Sequence, residues 1–158
     1  MAKFAFKMAG FLAALAASPA LALAAADAVS LNSTIKLDRV ITDKGRTIHE
    51  IVEPQKVVPG NHLVFLTNYR NTSDKPVDHF VVTNPVPSAV ALEGGEAAGF
   101  DVSVDGGLTW GKLSQLTVAK PGAAPRAAQA SDVTHVRWVI ASIAPGAAGT
   151  LEYHAVVR

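Results

Sequence analysis

Beyond residue 28, apolar residues recur at alternate positions and almost nowhere at the three-four spacing of an amphipathic helix, so the chain reads as strands. Val29, Leu31, Ser33, Ile35 and Leu37 fall on one face, with Ser30, Asn32, Thr34, Lys36 and Asp38 on the other. The same alternation sets Thr134, Val136, Trp138 and Ile140 against Val133, His135, Arg137 and Val139. It also sets Leu151, Tyr153, Ala155 and Val157 against Thr150, Glu152, His154 and Val156. Each run predicts a half-buried strand. Residues 63–67 and 80–83 are apolar on both faces, which suits central strands, and shorter strands are expected at 47–52, 89–92, 100–104 and 112–118. Turn chemistry punctuates them at Asp43-Lys44-Gly45, Pro59-Gly60-Asn61, Asn71-Thr72-Ser73-Asp74, Glu93-Gly94-Gly95 and Asp105-Gly106-Gly107. The expectation is an all-β sandwich of about seven to nine strands. Residues 119–132, rich in Pro, Ala and Gly, are expected as a mobile connection.

The amino end does not follow this period. Lys3 and Lys7 precede an alanine-rich apolar run through Phe11, Leu12, Leu15, Leu21 and Leu23, broken by Ser18 and Pro19. That is the pattern of a secretory leader, with small residues at Ala22, Ala24 and Ala26 to suit cleavage after Ala24 or Ala26. A membrane anchor is the competing reading, disfavoured because the run is interrupted and alanine partitions weakly into lipid. The expected division is a signal peptide at 1–26 and a single domain at 27–158. The product would be exported to the periplasm, the cell surface or the medium.

Export alters the charge. The chain has 14 Lys and Arg against 13 Asp and Glu, and loss of Lys3 and Lys7 leaves 12 against 13, a net charge of −1. A near-neutral domain with scattered basic residues argues against nucleic acid or an anionic membrane surface as partner. The chain contains no cysteine, so its core stands without disulfides even in an oxidising compartment.

Within the run VPGNHLVFLTNYRNTSDKPVDHFVVTNPVPSA, Pro59 and Gly60 form a turn, Leu63 to Leu66 a strand, Asn71 a polar turn, Val77 to Thr83 a second strand, and Pro85 with Pro87 an exit. This run resembles the conserved-repeat surface domain known as domain-of-unknown-function family eleven. It departs from that pattern at Asn84, where an Asp commonly precedes the first proline. The resemblance implies an immunoglobulin-like sandwich on the outside of prokaryotic cells, in walls, adhesins or filaments, with no shared enzymatic activity. A second stretch, Ser103, Asp105, Gly107, Thr109 and Trp110, is similar to the Asp-box found on hairpins of sialidase-type propellers. In that box the Ser and Asp cap backbone groups, Gly supplies positive φ and Trp packs beneath, so the expectation is a structural turn rather than an active site.

Candidate chemistry is sparse. His49, His62, His79, His135 and His154 show no local ligand spacing such as H-x-H or H-x-x-x-H, so no metal site or cofactor is predicted. The best metal candidates are His135, Glu152 and His154, if the strands carrying them pair as a hairpin. No serine sits in a nucleophile elbow, no glycine loop cradles phosphate, and the Asp101/Asp105 pair suits a solvated turn better than shared proton chemistry. The expectation is a non-enzymatic structural or interaction module of the bacterial envelope, self-assembling by strand addition through its first strand, residues 29–41. The alternative is a periplasmic metal- or peptide-binding, chaperone-type protein. Protein partners or other copies are expected at sheet edges, with no transmembrane segment after processing.

Overall fold

The computed structural model describes residues 28–94, 99–119 and 122–158. The expected leader lies outside them. Among the described residues, no helix is long and apolar enough to cross a membrane.

Among the described residues the chain forms ten strands, β1 (Val29–Asp43), β2 (Arg46–Val52), β3 (His62–Asn71), β4 (Val77–Pro85), β5 (Val90–Glu93), β6 (Asp101–Ser103), β7 (Thr117–Val118), β8 (Arg126–Ala127), β9 (His135–Ile143) and β10 (Ala148–Val157), the longer ones following the alternation of apolar and polar residues. They form a β-sandwich. One sheet runs β2-β1-β3-β10-β5, the other β4-β9-β6, and β7-β8 is a separate two-stranded ribbon. Every pairing is antiparallel.

The core lies between the two sheets. Leu63, Tyr153, Ala155, Val90 and Leu92 meet Val82, Val102, Val136 and Trp138 from across the sandwich, and Phe100 and Val133 close its ends. Tyr153 stacks on Phe65 at 4.5 Å between ring centroids, and Trp138 meets Phe100 edge-on at 5.4 Å. Stacked and edge-to-face pairs add to simple area burial, so these aromatics anchor a core that has no covalent staple.

Several local expectations change. The polar turn at Asn71 to Asp74 links strands of different sheets, β3 and β4, rather than neighbours in one sheet. The fully buried Asn71 side chain instead accepts from the Ser73 N–H and Oγ and donates to the carbonyls of Lys75 and Ile143. Residues 112–118 are not one strand but a 3-10 turn, Leu113–Gln115, leading into the short β7. The segment expected as an irregular connection carries β8 and a second 3-10 turn, Ala130–Asp132, whose capping box and Arg126–Asp132 ion pair hold it locally.

The long first strand has two environments. Residues Val29 to Asp38 pair with β3, and Leu37 to Asp43 pair with β2. Past Asp38 the β1–β2 hairpin has no third strand among the described residues and forms a two-stranded ribbon. It closes through Lys44 and Gly45, at φ 49° and 79°, the left-handed pair a two-residue hairpin loop requires.

Candidate functional site

The expected metal trio does not assemble. His135 is on β9, in the three-stranded sheet, opposite Ser103 and edge-on to Trp110 at 6.3 Å. Glu152 and His154 are on β10, in the other sheet, 3.6 Å apart. The expected hairpin between β9 and β10 fails because consecutive strands enter opposite sheets. His79 lies on β4, away from both groups.

Glu152 and His154 acquire other neighbours. His62 Nδ1 lies 2.8 Å from Glu93 Oε2, and His49 Nδ1 lies 2.9 Å from Asp38 Oδ2. Asp38 is directly opposite His62, and His154 directly opposite Glu93. Cross-strand partners share a face, so the six residues run as a row across β2, β1, β3, β10 and β5 on the face turned away from the core. The row lines a hollow of about 570 Å³ that Val40, Thr47 and Gly94 also border. Three carboxylates beside three imidazoles give it negative character while the imidazoles are neutral. No three His, Asp or Glu side chains among the described residues are placed to hold a metal ion. Periodicity could have flagged each residue as outward-facing, but the row exists only through the order β2-β1-β3-β10-β5, which the sequence order conceals.

The Ser103 to Trp110 stretch is a tightly bonded turn. Asp105 Oδ1 accepts from the Leu108 and Thr109 N–H groups and from Ser103 Oγ, and Thr109 Oγ1 donates to Asp105 Oδ2 at 2.5 Å. Gly107 N–H donates to Ser103 Oγ, and Trp110 Nε1 donates to the Gly107 carbonyl. The Thr109 hydroxyl, then its N–H and Ser103, hold the Asp105 carboxyl well below the usual carboxylate range. Arg137 covers the Trp110 ring at 4.4 Å. All these groups satisfy one another, leaving the turn few free donors or acceptors for a ligand.

The third surface is the ribbon. Every residue of β2 from Arg46 to Ile51 is exposed, and four large apolar side chains stand in solvent, Val40 at 50%, Ile41 at 38%, Ile48 at 46% and Ile51 at 52%. Ile41 and Ile48 are cross-strand partners on one face, with Val40 and Ile51 on the other. A two-stranded ribbon is marginal in water, and an apolar edge strand without a neighbour is a template for another chain.

Comparison with protein-family models, with curated proteins and with solved structures finds no significant match.

Proposed function

We propose that this protein is an exported interaction module of the bacterial envelope, working through contact surfaces rather than chemistry and joined to its partner by strand addition at the β1–β2 ribbon. The observation that carries this reading is the open β2 edge, apolar on both faces and lacking the third strand that would stabilise it. The contact strand proposed here is β2, which covers β1 along Leu37 to Asp43, while Val29 to Lys36 of the first strand expected from the sequence pair with β3 alone.

Counting from the two-residue turn, the N–H and C=O groups of Thr47, His49 and Ile51 point away from β1. Substituting His49→Pro deletes an outward donor at mid-strand. In cells making the full chain, the wild type is expected in the envelope fraction, beginning at Ala25 or Asp27 after processing. His49→Pro is expected in the soluble fraction with an unchanged melting temperature. Equal envelope association of both proteins would overturn this reading.

The row of histidines and carboxylates lining the hollow favours a second reading, as a binder of a cationic peptide. No three of its side chains are placed to hold a metal ion, so no heat is expected with zinc or copper in calorimetry, and a strong heat would reopen the metal form of that idea.

A further inference from the structure

We infer that the partner at the β2 edge is a second copy of this chain, paired antiparallel about a two-fold axis at Ile48. The inference rests on the strand-addition reading and names its occupant and register.

A two-fold axis perpendicular to a continuous sheet keeps each face on its own side, so even-numbered residues of β2 meet even-numbered residues of the other copy. Few registers remain. With Glu50 on the axis, two carboxylates face each other. With His49 on the axis, Ile48 faces Glu50, and with Thr47 on the axis, Ile48 faces Arg46. Like charges directly opposite destabilise a pair, and an apolar side chain opposite a charge gains little.

With Ile48 on the axis, every cross-strand pair on that face is matched. Ile48 meets Ile48, and Arg46 of each copy meets Glu50 of the other. The intrachain register extends the match, because Ile41 lies opposite Ile48, Arg39 opposite Glu50 and Asp43 opposite Arg46. Arg39 already bonds Glu50 through Nη2 at 2.5 Å. Across β1, β2 and the two strands of the second copy, the sheet therefore carries a central row of four isoleucines. Flanking it on each side is a row alternating Arg39, Glu50, Arg46 and Asp43, with charges plus, minus, plus, minus. On the opposite face Thr47 meets His49. Each solitary ribbon becomes half of a four-stranded sheet, and the outward N–H and C=O groups of Thr47 and His49 find partners.

The absence of cysteine makes the axis directly readable. Antiparallel partners lie about 4.5–5.5 Å apart between Cα atoms, within disulfide reach. Ile48→Cys, in the full chain purified as the cell processes it, is expected to form a disulfide-linked dimer under mild oxidation. Ile51→Cys is as exposed and on the same strand, but three residues from the axis its copies lie roughly 20 Å apart. It is expected to stay unlinked. By sedimentation velocity, the wild type is expected to dimerise and Ile48→Glu to weaken the dimer roughly tenfold or more.

Equal linking of both cysteine variants, or preferential linking at 51, would overturn the register. A monomeric wild type at high micromolar concentration, with no linking at 48, would overturn the second copy as partner. That result together with loss of envelope association in His49→Pro would leave strand addition to a different chain standing, so the two failures are distinguishable.

Discussion

At the scale of single residues, Asn71 shows how a turn residue becomes a structural node. Its amide uses four polar contacts while fully buried, and its backbone N–H and carbonyl bond Ala147 and Gly146. One side chain therefore joins the end of β3, the start of the β4 turn and the β9–β10 connection. Asn71→Ala would take the amide donor from the Ile143 carbonyl and the acceptor from the Ser73 N–H, and is expected to cost about 2–4 kcal/mol in urea unfolding. A loss below about 0.5 kcal/mol would show that the node contributes little. The sequence marks Asn71 as a turn former, but its partner Ile143 is 72 positions away. A second close fit is Gly149, where an added Cβ would come within 2.6 Å of Tyr69 Cζ. Gly149→Ala must displace the Tyr69 ring that lies opposite it on β3, and is expected to lower the melting temperature. An unchanged melting temperature would mean the ring yields at no cost.

At the scale of elements, the Asp105 turn and the β1–β2 ribbon are opposites. The turn satisfies its polar groups internally, whereas the ribbon leaves an edge and four apolar side chains open. The turn's dependence on ionised Asp105 has a definite sign. Its folded pKa is depressed, so the stabilisation is full above the unfolded value near 4 and is lost progressively on acidification below that. Asp105→Asn is therefore expected to melt lower than the wild type at pH 7, with the gap narrowing towards pH 2. A constant gap would sever the link to ionisation. This element was legible in advance because a turn of this kind is written in adjacent letters, Ser103 to Trp110. The 3-10 turn at Leu113–Gln115 was not, since its apolar residues suit a strand equally well until the sheet edge excludes them.

At the scale of the whole molecule, two sheets of unequal width are tied by the core and by cross-sheet hydrogen bonds, from Tyr153 Oη to the Pro85 carbonyl, from Asn84 Nδ2 to Thr67 Oγ1 and from Asn71 Nδ2 to the Ile143 carbonyl. Burial pushes the Tyr153 phenol up to about 12. A raised folded pKa means the contribution is fully present below the unfolded value near 10 and is lost as pH rises through 12. Urea unfolding at pH 7 and pH 11 is expected to show a steeper alkaline loss for the wild type than for Tyr153→Phe. At neutral pH the variant is expected to be weaker by about 1 kcal/mol, for the missing hydrogen bond. Parallel losses in both proteins would detach the phenol from alkaline unfolding. The unequal widths also account for the ribbon: three strands cannot cover five, so the β1–β2 end of the larger sheet projects without a lid.

Sequence alone determined most of the longer strands, the inward faces of β9 and β10 and most of the turns, because a two-residue period and residues that adopt positive φ act over a few neighbours. Val136, Trp138, Tyr153 and Ala155 were on the inward side of that pattern and are buried in the structure. Only the tertiary structure decided which strands are neighbours. That choice separated His135 from His154, drew His62 and Glu93 together, placed β1 inside β2, and exposed Ile41 and Ile48 despite their strand-like, core-like pattern. The reason is physical: alternation specifies which side of a strand is apolar, while pairing and coverage depend on packing between segments far apart in the chain.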